Sequence, residues 1–208
     1  MNIDGVKIYD LEESIVASGL PMLAEYNADD FDECCAFLEI AQIDEYDTTR
    51  ANHHFKRAVK LANNPVGSGH SNFLSGVLVS ANVTATVKWW EQFQRYHFKQ
   101  IVSSQSTMHR LRKMLREGTA KFNSKTDPEI INRITELAKE SDDMVSDEAL
   151  AYSCPMGLEL TARITTNYLQ LRTIYQQRKN HKLAEWHTFC NWIKSLPYSA
   201  EFITGESK

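Results

Sequence analysis

The spacing of hydrophobic and polar positions predicts a chain dominated by helices. In residues 49–62, Phe55, Ala58, Val59 and Ala62 recur at helical spacing, and two asparagines and a proline follow as a stop signal. The other predicted helices share this kind of apolar stripe and cover residues 86–98, 129–140, 146–178 with breaks near Pro155 and Gly157, and 181–196.

Two stretches read as strands instead. Residues 76–87 are rich in β-branched residues at roughly alternating positions, and residues 6–11 form a short opening strand. Residues 121–128 are a polar connection, and residues 197–208 are a tail expected to fray. The pattern therefore predicts an α+β fold, helix-dominated with a small, mostly antiparallel sheet, in a single domain over 1–208.

Composition narrows the class of protein. The chain has 208 residues, of which 42% are hydrophobic and 24% charged, with a net charge of −4, typical of a soluble globular protein. This charge argues against a general polyanion binder, so any nucleotide site must be a local patch. No apolar run reaches the ~18–20 residues of a membrane span. Because the N-terminus lacks signal-peptide features and no CxxC pair occurs, we expect a cytoplasmic protein with reduced cysteines at Cys34, Cys35, Cys154 and Cys190.

Common cofactor motifs are missing from the sequence. The histidines form no HExxH or Cys/His cluster, so we expect no metal, and no GxGxxG or P-loop motif occurs. The glycine-containing segment 64–73 has two interpretations. It is an ordinary turn, or its backbone N–H groups bind a phosphate or the edge of a cofactor. The four tryptophans at helical spacing favour core positions over base stacking.

Two arginine-rich segments are the candidate chemistry. Residues 94–114 interleave arginines, lysines and histidines with glutamines and small hydroxyl residues. A second segment carries Arg163, Arg172 and Arg178, and on one helix Arg172 and Arg178 would face different sides, one of them reaching towards a neighbouring subunit. Such segments suit bidentate phosphate recognition beside amide recognition of a base, or they are solvated helix faces.

The order of these residues resembles the flavin-dependent thymidylate synthases, the ThyX family, whose signature reads RHRxxSxNExSxRY. Gln92 precedes Arg95 at the family's spacing, and His70 lies where the family has its upstream histidine. With about three inserted residues, Ser103, Gln105 and Arg110 meet later signature positions. In the C-terminal half, "TAR" ends at Arg163, Asn167 precedes Arg178, and "HKLAEW" follows, so the resemblance covers residues 67–193.

Several signature positions differ. Arg95-Tyr96-His97 replaces RHR, Ser106 stands at the acidic position, and Met108 stands at a serine. The chain therefore resembles a divergent branch of the family, of the kind a phage or mobile element carries.

The resemblance implies an FAD-dependent methyltransferase of nucleotide biosynthesis. Such enzymes are homotetramers that hold FAD at subunit interfaces, reduce it with NADPH, and methylate C5 of dUMP with methylenetetrahydrofolate. They use a flavin hydride where other thymidylate synthases use a cysteine nucleophile. The carried-over site residues are Arg178 and Ser106 as catalytic residues; Gln92, Arg95, Arg110, Arg163 and Arg178 for the substrate; and His70, Asn72, Ser103, Gln105, Asn167, Thr173 and His181 for the cofactor.

The sequence leaves three questions about function open. The substrate is dUMP, UMP or a modified pyrimidine nucleotide. The altered signature also suits a nucleotide- and flavin-binding module without turnover. Direct binding of duplex DNA through residues 109–116 is a weaker alternative, because one basic helix on an acidic chain binds weakly and in a salt-sensitive way.

Overall fold

The computed structural model describes residues 1–43, 49–65, 67–140 and 143–206. The chain divides into two compact units. The first unit comprises Met1–Gly5 and Ala81–Ile164, and the second comprises Val6–Ser80 and Thr165–Lys208. Three strands contribute residues to both units, so neither unit is one continuous segment of the chain. The single domain expected from the sequence stays a prediction.

Helices make up most of the described chain. In chain order the elements are β1 (Asn2–Tyr9), α1 (Leu11–Ala17), α2 (Ala28–Ile43), α3 (Thr49–Ala62), β2 (Leu78–Thr86), α4 (Val87–Phe93), β3 (Lys99–Ser104), α5 (Thr107–Arg116), β4 (Lys121–Phe122), α6 (Pro128–Glu140), α7 (Met144–Ser153), β5 (Leu158–Asn167), α8 (Tyr168–Arg178) and α9 (Ala184–Lys194). Short 3-10 turns cover Leu20–Met22 and Asn72–Ser75, and a π-helical turn covers Ala200–Thr204.

The strands form one small antiparallel sheet in the order β1-β2-β5-β3. The two-residue strand β4 also pairs with β5, placing Lys121 opposite Glu159 and Phe122 opposite Leu158. Every second residue of β5 from Leu158 to Thr166 is apolar or a threonine, and the strand lies between β2 and β3, as expected for a strand buried in a sheet.

In the first unit, a hydrophobic cluster holds α5, α6 and α7 together. It is formed by buried Leu111, Leu115, Ile134, Ala138, Leu150 and Leu158. The basic helix α5 also contributes polar contacts to this packing, because Arg112 and Arg116 both donate hydrogen bonds to the Ala138 carbonyl. Arg112 is 8% exposed and forms an ion pair with Asp147.

In the second unit, α8 packs against α9 and against the π-helical turn near the C-terminus. The Phe202 ring contacts the rings of Phe55 and Phe73 at centroid distances of 5.5 and 5.9 Å. The tail predicted to fray is therefore packed as far as this turn, where Phe202 and Ile203 are both buried. Arg172 donates to the carbonyl of Ala62, the last residue of α3, so it caps a helix of its own chain. That one of Arg172 and Arg178 reaches a neighbouring subunit stays a prediction.

The structure confirms the predicted α+β class, and the helix predicted over 49–62 has those bounds. The prediction of helix over 158–167 was wrong, because these residues are β5 and Arg163 lies on a strand. The segment 94–114 also differs from a single helix: it contains a turn, the edge strand β3 and most of α5. Among the described helices, none has the length and apolar character needed to cross a bilayer.

Candidate functional site

A cavity of about 380 Å³ lies in the first unit. It is bounded by α4, β3, the start of α5 and the first half of β5. Apolar side chains form most of the wall, and a few polar groups complete it: Val87, Trp90, Ile101, Met156, Leu160 and Ala162, with Glu91, Gln94, Ser104, Gln105 and Thr107. A largely apolar wall with a few polar groups is typical of a small-molecule site.

Trp90 gives this cavity a flat, rigid surface. Its indole nitrogen donates to the Leu160 carbonyl at 3.0 Å, and the ring lies edge-on to Trp89 at a centroid distance of 4.9 Å. The residue is only 7% exposed, so it is a core residue as the sequence predicts, and it also lines the cavity. A fixed aromatic wall favours a planar ligand ring.

Gln105 is the sequence-predicted residue that lines the cavity directly. Its backbone nitrogen donates to the Thr161 carbonyl at 3.0 Å, and its side-chain oxygen accepts from the Thr161 nitrogen at 2.8 Å. These two bonds attach Gln105 to β5 and leave the side-chain NH₂ group as a donor. The exposed Gln94 amide stands at the same cavity.

Two arginines lie close in sequence to residues that line this cavity. No acidic residue occurs in the sequence between Glu91 and Glu117. Arg95 and Arg110 are exposed, and neither forms an ion pair with a residue in the described part of the chain. Arg110 lies three positions after Thr107, so the two share a face of α5, and Thr107 lines the cavity. This arrangement suits a ligand with an anionic group outside the cavity.

Other predicted residues of the first unit have local structural contacts. Ser106 is the N-cap of α5, where its hydroxyl accepts from the His109 nitrogen at 3.3 Å. Arg163 donates to the Gly5 carbonyl at 3.2 Å and to the Asn82 side chain at 3.0 Å, so one of its nitrogens joins β1, β2 and β5. Ser103 is exposed on β3, and Gln92 is partly buried on α4.

In the second unit, Arg178 and His181 meet at Trp186. The Arg178 guanidinium lies 4.7 Å from the centroid of the indole ring, a cation–π distance. The His181 ring lies 6.3 Å from the same ring, and its Nδ1 accepts from the Leu183 nitrogen at 3.0 Å. Burial lowers the pKa of His181, and the nearby Arg178 and His187 lower it further. A neutral His181 beside a cationic Arg178 is therefore the favoured pair at neutral pH.

The remaining predicted cofactor residues lie in two other places of the second unit. His70 and Asn72 are exposed on a turn in which Gly67 and Gly69 have φ of 90° and 78°. Asn167 is the N-cap of α8 and accepts from the Gln170 nitrogen at 2.8 Å. Thr173 donates to the Leu169 carbonyl at 3.2 Å within the same helix.

Sequence reasoning missed several lining residues, including Leu160, Ala162 and Gln94. Leu160 and Ala162 could have been found from the alternation of apolar and polar residues along β5. The prediction of a helix over 146–178 concealed that alternation. Within the described ranges, no three histidine, cysteine or acidic side chains are grouped as a metal site requires.

Solved structures with this fold are known. The structure is similar to ThyX from Helicobacter pylori complexed with FAD and dUMP, with a TM-score of 0.65 and 12% identity over 100% of both chains. A second Helicobacter pylori ThyX structure with FAD and dUMP has a TM-score of 0.68 and 12% identity, covering 99% of this chain and 98% of that one.

A UMP/dUMP methylase, PolB from Streptomyces cacaoi bound with 5-Br dUMP, is also similar. Its TM-score is 0.61 and its identity 13%, covering 98% of this chain and 95% of that one. No family model matches the sequence, and no curated protein matches it. At these identities the likeness shows the fold, so the predicted ThyX-like fold is confirmed.

Proposed function

We propose that this protein binds a pyrimidine nucleotide and FAD and modifies C5 of the uracil ring. The simplest reaction is methylation of dUMP to dTMP with methylenetetrahydrofolate as donor and NADPH as reductant. The observation that carries the proposal is the cavity of the first unit, in a chain with the fold of two kinds of dUMP-binding protein.

The cavity suits a pyrimidine nucleotide in three respects. The Trp90 indole offers a flat apolar surface to the ring. The amides of Gln94 and Gln105 stand at the cavity, and a uracil edge presents alternating donors and acceptors that amides recognise. Arg95 and Arg110 are exposed cations for the phosphate, and charge-assisted bonds to phosphate are stronger than neutral ones.

The size of the cavity limits how much of FAD it can hold. Drug-sized ligands occupy pockets of roughly 300–1,000 Å³, so about 380 Å³ accommodates a pyrimidine nucleoside or one end of a flavin, but not a dinucleotide. The residues that we assign to FAD are His70, Asn72, Ser103, Gln105, Asn167, Thr173 and His181. When bound, FAD would supply a hydride in the role that a cysteine nucleophile has in other thymidylate synthases, and none of the described residues that line this cavity is a cysteine.

Arg178 and Ser106 are the residues that we assign to catalysis. Arg178 lies against the Trp186 indole, which fixes the position of its guanidinium group, and we assign this cation to stabilise negative charge on a nucleotide. The Ser106 oxygen accepts from the α5 backbone, so its O–H remains to donate to a ligand. Gln92 and Arg163 complete the substrate set carried over from the resemblance.

We further propose a homotetramer in which Arg178 and His70 face a pocket shared between chains. FAD is larger than the cavity of the first unit, so enclosing it requires additional protein surface, which partner subunits would supply. Light scattering at low micromolar concentration should give about four times the chain mass. A strict monomer that binds FAD tightly would contradict this arrangement.

A second candidate function is a nucleotide- and flavin-binding module without turnover. The observation in its favour is Ser106, which stands at the family's acidic position and serves as a helix cap. Such a module would bind the same ligands but leave the C5–H bond of the uracil ring intact.

Two measurements on the purified protein separate these candidates. Visible absorbance during an FAD titration tests cofactor binding. Release of tritium from dUMP or UMP labelled at C5, with FAD, NADPH and methylenetetrahydrofolate present, tests breakage of the C5–H bond. Binding with tritium release supports the enzyme, and binding without release supports the module. A colourless protein that binds neither FAD nor a uridine nucleotide would refute both.

A further inference from the structure

A second cavity, of about 210 Å³, lies in the second unit among α1, the start of α2 and α3. Its base is formed by buried Val16, Gly19 and Cys34, and its rim by exposed residues between Leu20 and Asp30. No residue assigned to the nucleotide or the flavin lines it. The proposed function therefore assigns no ligand to this cavity.

Arg57 is the central polar group at the base of this cavity. Its Nη2 donates to the Val16 carbonyl at 3.1 Å and contacts His54 Nδ1 at 2.8 Å, and its Nε donates to the Ser18 hydroxyl at 3.4 Å. These partners, apart from His54, lie at the C-terminal end of α1, so the guanidinium caps that helix. Gly19 allows this contact, because a Cβ there would lie 2.4 Å from the Arg57 guanidinium carbon.

The capping leaves one nitrogen of Arg57 unused. In the part of the chain that the structure describes, Nη1 has no hydrogen-bond partner, and no carboxylate forms an ion pair with Arg57. The Arg57 side chain is half-buried, and this burial lowers the pKa of its guanidinium. A half-buried cation with an open donor at the base of a cavity is complementary to a carboxylate.

The rim has the opposite charge. Glu25 and Asp30 line the cavity and are exposed, and neither forms an ion pair with another described residue. A simple anion would be repelled by these carboxylates, and a simple amine would be repelled by Arg57. A molecule with both charges, carboxylate inward and ammonium outward, matches the base and the rim together.

The walls and the volume define the rest of the ligand. Val16, Leu20, Leu23 and Phe31 are apolar and line the cavity. A volume of about 210 Å³ is below the roughly 300–1,000 Å³ of sites for drug-sized ligands. We propose that this cavity binds a free amino acid with an apolar side chain, its carboxylate on Arg57 and its ammonium group at Glu25 and Asp30.

Equilibrium dialysis of the full chain with radiolabelled leucine tests this proposal. Binding should saturate with a dissociation constant below ~10 mM, a free energy of roughly −3 kcal/mol or better. Unlabelled isocaproate lacks the ammonium group, isoamylamine lacks the carboxylate, and glycine lacks the apolar side chain. Each of the three should compete at least about tenfold more weakly than leucine, the scale of one lost charged hydrogen bond or one exposed side chain.

Rim variants place the binding in the cavity without removing the helix cap. The double variant Glu25→Gln, Asp30→Asn should weaken leucine binding about tenfold or more, because the ammonium group loses both carboxylates. Asp29→Asn is the matched control, since Asp29 is also exposed in the first turn of α2 but does not line the cavity, and it should change binding less than about twofold.

Three results would overturn the proposal: no saturable leucine binding, isocaproate competing as well as leucine, or an equal loss in the double variant and in Asp29→Asn. None of these results bears on dUMP or FAD binding, which is measured separately.

Discussion

The two cavities place their charges in opposite ways. In the first unit, apolar, amide and hydroxyl side chains form the cavity wall together with Glu91, whose carboxylate is paired with Lys88, and the cations Arg95 and Arg110 are exposed to water. In the second unit, the cation Arg57 lies at the base and the carboxylates of Glu25 and Asp30 lie on the exposed rim.

This difference determines which ligand each cavity suits. Exposed cations attract a phosphate that stays partly hydrated, so nucleotide binding in the first unit should weaken as salt screens the charges. A partly desolvated cation at the base of a cavity is screened less and selects a carboxylate by geometry.

Trp90→Ala should remove the flat wall of the first cavity and destabilise the protein by about 3–5 kcal/mol, as expected for a buried aromatic side chain. Trp90→Phe keeps a ring and should cost less, because it loses mainly the bond to the Leu160 carbonyl. Urea unfolding curves measure both variants. Parent-like stability of Trp90→Ala would show that the indole is not part of the core.

Arg57→Met should destabilise the protein by about 2–3 kcal/mol, because the carbonyls at the end of α1 lose their donors. Lys56→Met is the matched control, since Lys56 is the exposed neighbour on α3, and its effect should stay within ~0.5 kcal/mol. Thermal and urea unfolding provide the comparison. Equal stability of the two variants would contradict the capping role.

Arg178→Ala should weaken nucleotide binding by ~1.5–3 kcal/mol, the scale of a lost charged hydrogen bond, with folding largely intact. Calorimetric titration with dUMP measures the affinity, and circular dichroism checks the fold. Because Arg178 also contacts the Trp186 ring, a smaller loss of stability, about 0.5–1 kcal/mol, should accompany the change. A variant that binds dUMP as well as the parent would remove Arg178 from the substrate set.

Arg110→Ala should weaken dUMP binding by ~1.5 kcal/mol, about tenfold, and leave stability unchanged, since Arg110 is exposed. Arg133→Ala is the control, because Arg133 is an exposed arginine on α6, a helix that contributes no residue to the wall of the nucleotide cavity, whereas Arg110 shares a helix face with the lining residue Thr107. The loss in Arg110→Ala should shrink as salt is added. An effect of the same size in both variants would indicate general charge attraction instead of a phosphate contact.

The smallest effect concerns acid stability of the second unit. Hydrogen bonds from Tyr175 and Lys194 lower the pKa of Glu206 from its ordinary value of 4.5 to about 2. Because the folded state favours the ionised carboxylate, its contribution is fully present above pH 4.5 and is lost as pH falls towards about 2.

Glu206→Gln should therefore unfold at a slightly lower temperature than the parent near neutral pH, and the difference should shrink as the pH falls through this window. Melting curves from pH 7 to pH 2.5 test the prediction. A difference in melting temperature that does not change with pH would show that the ionised carboxylate of Glu206 is not what stabilises this contact.

The sequence by itself determined the elements that have a clear local period. The stripe in residues 49–62 with its asparagine and proline stop is enough to specify α3, and the β-branched run in 76–87 is enough to specify β2. The order of Gln92, Arg95, Arg110, Arg163 and Arg178 also pointed to the ThyX fold. The first kind of signal is carried by short-range spacing, and the second by the order of these residues along the chain.

Tertiary structure decided what depends on distant partners. Apolar and polar residues alternate along β5 as in a strand, but the helical spacing predicted for 146–178 hides this alternation. Pairing with β2, β3 and β4 stabilises the strand. Arg57 and Arg172 look like surface cations in the sequence, yet each caps a helix whose end lies 39 to 42 or 110 residues away.

The same reason applies to the two cavities. Their walls combine segments that are far apart in sequence, such as Trp90 with Leu160 and Val16 with Arg57. The spacing of residues in the sequence predicts the structure of one segment at a time. The volume and the charge of a cavity arise only when packing brings distant segments together.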